Sequence, residues 1–243
     1  RHVKAGYDIR SEGLQNHSTG FVFYSSTESH SCLQKSIELL GIGNQFYRRI
    51  PVNSQYQIEI DALAEAIFRD RQAGLVPMCV IGNAGTINTG AVDDLRSLAD
   101  LCAREQLWFH IDGAIGGAVS LAPEHKHLMN GIERADSLAI DLHKWMHVPF
   151  EAGVALIRHE TDQLGTFSLT PEYLSHTERG PAGGTTWFSA TSGRSAITLP
   201  SSETRSLPMT CPFLIGAIKV FGTSIAVAIR YSSKLSCFGT AAS

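Results

Sequence analysis

Three features of the chain predict an α/β fold with a mostly parallel sheet and flanking helices. Its apolar runs, such as Val76 to Ile81 and Leu107 to Ile111, are continuous rather than alternating, the pattern of strands covered on both faces. Segments with helical spacing separate those runs, long enough for the crossovers that parallel strands require. Small and polar residues gather directly after the runs, and in open parallel sheets ligands bind beyond the carboxyl ends of the strands.

The elements follow in order. Phe21 to Tyr24 is a buried strand, followed by the polar turn Ser25 to His30. Leu33, Ile37 and Leu40 then fall at helical spacing, with Gly41 as a stop. Gln45 to Val52 carries a strand pattern closed by Asn53-Ser54, and Asp61 caps a helix whose inner face is Leu63, Ala66 and Ile67, ended by Gly74. Val76 to Ile81 is a strand that tolerates Pro77 because it stands near the start. It leads into the loop Gly82 to Gly90. Asp93 is expected to cap the next helix, with Leu95, Leu98, Ala99 and Cys102 inward. Leu107 to Asp112 is a strand ending in a carboxylate, followed by the small-residue turn Gly113 to Ala118. Ser137 to Ile140 and Gly153 to Arg158 are further strands, and Phe167 to Leu174 opens a loop that contains Tyr173.

Composition narrows the function. A chain of 243 residues, 43% hydrophobic and 18% charged, can bury one sizeable core or two small ones. Net charge is −3 with no basic run, which argues against nucleic acid and anionic membrane surfaces as partners. No apolar stretch reaches the ~20 residues that span a bilayer, and the first residues lack the apolar core of a signal peptide; a cytoplasmic location is expected. Five cysteines, an odd number without CxxC pairs, predict reduced thiols rather than a disulfide framework or zinc site. His125-Lys126-His127 lacks a third ligand at a set spacing and reads as a solvated turn, so no metal is expected. Of the 23 acidic residues only Glu203 lies beyond position 189, so the Ser/Thr-rich tail differs in texture from what precedes it.

Chemistry is concentrated around Asp141-Leu142-His143-Lys144-Trp145-Met146, which follows a short apolar strand. A lysine in an apolar setting sheds the proton that blocks attack on a carbonyl and can form a Schiff base; the alternative is a salt-bridging or snorkelling lysine. A carbonyl cofactor on such a lysine needs an acid to keep its heteroaromatic nitrogen protonated, a flat group over the ring, and donors for its phosphate. Asp112 suits the first task, or else caps the turn after its strand. His30 suits the second, or else is a turn histidine bonded to backbone. The glycines at Gly85 and Gly116-Gly117 allow close backbone approach.

The order His30, Gly85-Thr86 through Asn88-Thr89-Gly90 and Asp93, His110-Ile111-Asp112-Gly113-Ala114, and Asp141-Leu142-His143-Lys144-Trp145 resembles the group II pyridoxal-phosphate-dependent amino acid decarboxylases. This is the family of aromatic-L-amino-acid, histidine and glutamate decarboxylases. A His-Lys-Trp whose lysine stands 32 residues after the aspartate of a His-x-Asp-x-Ala turn is hard to obtain by chance. The resemblance covers about residues 1 to 189. It implies the large-domain fold of fold-type I (aspartate aminotransferase-like) enzymes, with pyridoxal 5'-phosphate (PLP) as cofactor. Lys144 would carry the cofactor, Asp112 pair with its ring nitrogen, His30 stack on one ring face and Ala114 pack on the other. His143 would contact the phosphate region, and Asp141 stands where some relatives have a phosphate-binding Asn. Thr86 would lie near the cofactor and the substrate carboxylate. Tyr173, otherwise an ordinary loop aromatic, would match a mobile-loop tyrosine that helps protonate the α-carbon. The implied reaction is decarboxylation of an L-amino acid, aromatic type favoured, to the amine and carbon dioxide, in a homodimer when complete.

Two features of the family have no counterpart here: an upstream helical segment that swaps between subunits and a Ser/Thr-Gly-Gly loop that binds the phosphate. Residues 1–189 are therefore expected to form a PLP-binding large domain incomplete at its N-terminus, and residues 190–243 a divergent tail rather than a native C-terminal domain. Two other readings stand beside the decarboxylase: another fold-type I PLP lyase, and a catalytically silent fragment.

Overall fold

The computed structural model describes residues 5–15, 20–150 and 152–167, together with the backbone of five short strands between 187 and 231. By packing, the chain divides into two units, Arg1–Ala135 and Asp136–Ser243. Among the described residues no helix is long and apolar enough to cross a membrane.

The first unit is built on strands β1 (Phe21–Ser26), β2 (Tyr47–Ile50), β3 (Val76–Asn83) and β4 (Trp108–Asp112). They lie in the order β2, β1, β3, β4, and every pairing is parallel, as the continuous apolar runs predict. A short helix, α1 (Ile9–Glu12), precedes them, and α2 (Cys32–Leu39), α3 (Ile60–Gln72) and α4 (Leu95–Arg104) make the connections. Helices α3 and α4 pack on β3 through the positions their spacing marks: Leu63, Ile67, Leu95 and Leu98 are at most 1% exposed, and Val80, Phe109 and Ile111 face them from the sheet just as fully buried. Each such side chain contributes about 1.5–3 kcal/mol by leaving water. A Cβ at Gly82 would come within 2.8 Å of Leu98 Cδ1, so the bare backbone there lets α4 settle on β3.

One buried polar group in this core is an exception with a cause. Tyr24 donates its hydroxyl to Asp70 Oδ2 (2.8 Å), and Arg48 closes on the same carboxylate at 2.6 Å. Burial, reinforced by the Asp70 hydrogen bond, pushes the Tyr24 phenol far above its ordinary range, so it serves as a permanent donor. The trio ties β1, β2 and α3 together.

Several boundaries differ from the sequence expectations. Helix α2 ends at Leu39, and Leu40, expected inward, is exposed beyond it. The strand expected from Gln45 begins only at Tyr47, because Asn44–Phe46 forms a 3-10 turn. Helix α3 starts one residue before Asp61: Glu59 is its N-cap, and Asp61 stands in the first turn, where a negative charge favours the helix dipole. The cap of α4 is Asp94, which accepts from the Ser97 N–H at 3.0 Å, rather than Asp93. Of two adjacent aspartates the second has the reach to the third helical N–H, which leaves the first for another task.

The second unit begins with β5 (Ser137–Asp141), the one-turn helix α5 (Leu142–Trp145) and β6 (Ala152–Ile157), which runs antiparallel to β5. Val154 and Leu156 pack against Leu138, Ile140 and Leu142. Helix α6 (Glu160–Phe167) follows, where the sequence suggested that a loop opens at Phe167. Strands β7 (Trp187–Ala190) and β8 (Arg194–Ile197) pair antiparallel, and the strand Ser224–Tyr231 lies parallel to β6.

Candidate active site

In the first unit the parallel registers bring the carboxyl ends of β1, β3 and β4 to one edge of the sheet. His30 follows β1 by four residues, Thr86 follows β3 by three, and Asp112 is the last residue of β4. What holds this edge together is Asp93, for which the sequence suggested the role of helix cap. Its carboxylate is 3% exposed. One oxygen accepts the Ile58 N–H (2.7 Å) and the other accepts the Asn83 N–H (2.7 Å) and its side-chain amide (3.0 Å). The Asn83 amide also reaches the hydroxyls of Ser26 and Ser29, each at 3.0 Å. One buried carboxylate thus fastens the end of β3 and the Ile58 segment, and through Asn83 the turn that leads to His30. Burial pushes the Asp93 carboxyl up, and the N–H donors of Asn83 and Ile58 act against that.

The loop between Asn83 and Asp93 is closed across its base. Asp93 donates its N–H to the Asn83 carbonyl (2.9 Å), and Gly85 and Thr86 donate theirs to that of Ala91. The Thr86 hydroxyl bonds to Thr89 Oγ1 (2.7 Å) and accepts the Ala91 N–H (3.1 Å), so this buried residue also braces its own loop. The neighbouring loop is locked to it: Ala84 donates to the Asp112 carbonyl (2.8 Å), and Gly116 donates to that of Ala84 (2.9 Å). A Cβ on Gly116 would sit 2.3 Å from the Ala84 oxygen, so only glycine fits there.

Asp112 is half-buried, with Oδ1 accepting the Ala114 N–H at 3.1 Å. The turn-capping role and a fixed carboxylate orientation are therefore both present, and Ala114 is half-buried beside it. His30 is exposed, and its Nδ1 accepts the Cys32 N–H at 3.2 Å, which assigns the proton of the neutral ring to Nε2. This is the backbone-bonded turn histidine that the sequence left open. His110, two residues before Asp112, is held neutral: burial pushes its imidazole below the usual range, with the Asp112 charge pulling weakly the other way.

The second unit carries Asp141, His143 and Lys144. Here the structure shows the alternative that the sequence left open, a salt-bridging lysine rather than one in an apolar setting. Strand β5 turns directly into α5, so Asp141 and Lys144 stand three apart on one face. The ammonium meets Asp141 Oδ2 at 2.7 Å with about a third of its side chain exposed. The phosphate-side role that the resemblance implies for Asp141 does not suit its carboxylate, which repels a phosphate and attracts the lysine. His143 is fixed through Nδ1, which accepts the Ala152 N–H at 2.9 Å, and the Phe150 ring meets it edge-on at 4.7 Å. Trp145, Met146 and Phe150 are exposed around them. Tyr173 lies outside the described residues. Sequence reasoning missed the bracing by Asn83, Asp93 and Ala152; the tandem Asp93-Asp94 was the one visible signal, since a single cap needs only one aspartate.

Known proteins share sequence and fold with this chain. Residues 4–199 match the model of the pyridoxal-dependent decarboxylase conserved domain. The chain is 34% identical over 229 residues to aromatic-L-amino-acid decarboxylase of Bacillus atrophaeus, and 38% identical over 156 residues to that of Cavia porcellus. These alignments cover 94% and 64% of this chain but 46% and 32% of the relatives, so the chain spans half or less of their length. Among solved structures, Oryza sativa TDC with PLP and tryptamine superposes on 70% of this chain and 35% of its own, with a TM-score of 0.62 and 30% identity. The glutamate decarboxylase domain from Vibrio parahaemolyticus gives 0.60 and 34% identity, over 63% of this chain and 33% of that one. With its parallel sheet, its Asp112 turn and its His143-Lys144 pair, the chain belongs to the pyridoxal-dependent decarboxylase family.

Proposed function

We propose that this chain is part of a PLP-dependent carboxy-lyase that converts an L-amino acid, aromatic type favoured, into its amine and carbon dioxide. The observation that carries the reading is that a chain of this family holds both a braced strand-end carboxylate, Asp112, in its first unit and a His143-Lys144 turn in its second. The aromatic preference rests on the relatives named aromatic-L-amino-acid decarboxylase and on the solved complex with tryptamine.

The donor set fits PLP. Lys144 offers a primary amine for its aldehyde, Asp112 a carboxylate for its pyridine nitrogen, and His30 an exposed ring that can lie flat on a heteroaromatic face. When bound, PLP supplies an electron sink that accepts the pair left by the broken bond to the carboxylate. Asp112 holds a proton on the ring nitrogen, and its own orientation is fixed by the Ala114 N–H. Ala114 would cover the ring face opposite the one on which His30 would stack. Thr86 would shape the loop beside the substrate carboxylate, and His143, held on Ala152 through Nδ1, would lie in the phosphate region. Tyr173 returns a proton to the α-carbon. A homodimer and a cytoplasmic location belong to the same proposal. For the first the support is the family; for the second it is the odd cysteine count without CxxC pairs.

The test is release of carbon dioxide from a panel of L-amino acids with PLP present, run beside Lys144→Ala. Release from aromatic substrates that the variant lacks supports the proposal. A PLP-loaded protein that releases none, or cleaves a different bond, contradicts it.

A further inference from the structure

The structure assigns Asp141 to Lys144: we propose that this carboxylate is a positioning residue that holds the lysine's amine whenever the amine is not bonded to a cofactor. The inference rests on the reading of Lys144 as the cofactor lysine only for its significance, since the contact itself is independent of it. Asp141 Oδ2 lies 2.7 Å from Lys144 Nζ and 4.0 Å from His143 Nε2. The carboxylate thus bonds the lysine and leaves the imidazole beyond hydrogen-bond reach. Its backbone is anchored, because Asp141 pairs with Gly153 across the β5 and β6 ladder, and β6 also begins with the Ala152 amide that fixes His143. Lysine has four rotatable bonds, and an exposed one samples many rotamers. A charge-assisted hydrogen bond from a strand-anchored carboxylate selects one of them. While Nζ is engaged with this carboxylate it cannot approach a carbonyl carbon, so the amine must leave Asp141 before it reacts.

The pair is about a third exposed on both sides, so its hold is modest. Removing it should raise the reactivity of the amine roughly two- to fivefold, the range that exposed ion pairs support. The experiment is competitive acetylation of the cofactor-free protein, with each lysine quantified by peptide mass mapping. Lys35 and Lys126 serve as internal references. In Asp141→Asn, Lys144 should label faster than in the parent while the references keep their rates. Asp141→Glu, which retains the charge, should restore much of the protection. Equal labelling of Lys144 in parent and Asp141→Asn, with the references unchanged, overturns the proposal, as does equal protection by Asn and Glu.

A second arm adds PLP and follows its visible absorbance. Faster capture by Asp141→Asn than by the parent supports the hold, and slower capture contradicts it. If neither protein captures PLP while labelling still differs, the cofactor reading of Lys144 fails and the Asp141 contact stands.

Discussion

The two units present their candidate groups in opposite ways. In the first, Asp112 and the loop carrying Thr86 are locked by buried hydrogen bonds that converge on Asp93, Asn83 and Gly116. In the second, Lys144 stands at the surface on a one-turn helix, held by one half-exposed ion pair. Under the proposed function, the difference follows from what each group would have to do. A carboxylate that must keep a proton on a ring nitrogen gains from rigidity, because its orientation is the whole of its contribution. An amine that must form and break a covalent bond has to move, and a weak exposed partner lets it go.

Substitutions can break this contrast. Asp93→Ala leaves three N–H groups without their acceptor in a buried site, at about 1–3 kcal/mol for each such loss before relaxation; a drop of about 3 kcal/mol in unfolding free energy is expected. Asp141→Ala should cost under about 1 kcal/mol. Equal losses in denaturant titrations of the two variants would erase the distinction between a braced and a loosely held half. Gly116→Ala comes next, at about 2 kcal/mol, because its new methyl must displace backbone at Ala84; a midpoint identical to the parent's would show that the two loops are not interlocked as described. Asp94→Ala removes the α4 cap and should cost about 1 kcal/mol. Hydrogen bonds from the Ser97 N–H and hydroxyl hold the Asp94 carboxyl below its ordinary range. Its stabilisation is therefore present above that range and is lost as pH falls through the depressed folded value. The parent and Asp94→Ala should converge in stability only under acid.

The smallest effect belongs to His110. Burial lowers its folded pKa, so at mildly acidic pH the unfolded chain binds the extra proton and the folded one does not. Stability should fall as pH drops below about 6.5, the ordinary histidine value. His110→Gln should flatten that slope; an unchanged slope would mean that His110 takes its proton as readily folded as unfolded.

Much of the fold was legible because it depends on local pattern. The runs at Val76 and Leu107 could only be covered strands, and the Leu63-Ala66-Ile67 and Leu95-Leu98-Ala99 spacings place their side chains inward as expected. What escaped depends on contacts between residues distant in sequence. Asp93 reaches Ile58 across 35 positions, and Asn83 reaches Ser26 across 57; no periodicity encodes such pairs. The Lys144 environment stayed open between two readings for a related reason. The apolar run of β5 suggested burial, but the chain turns at Asp141 into a single exposed helical turn, and an i, i+3 carboxylate answers the charge. The candidate site was legible as an ordered set of residue types, and its bracing became visible only in three dimensions.

The central claim is that Lys144 is the residue that takes PLP. It is tested most directly by mixing the protein with PLP, reducing with borohydride and mapping the phosphopyridoxyl mass onto peptides. The account predicts a visible absorbance band lost on reduction, with the added mass on Lys144. A label spread over Lys35, Lys126 and other surface lysines, or no label at all, would contradict it.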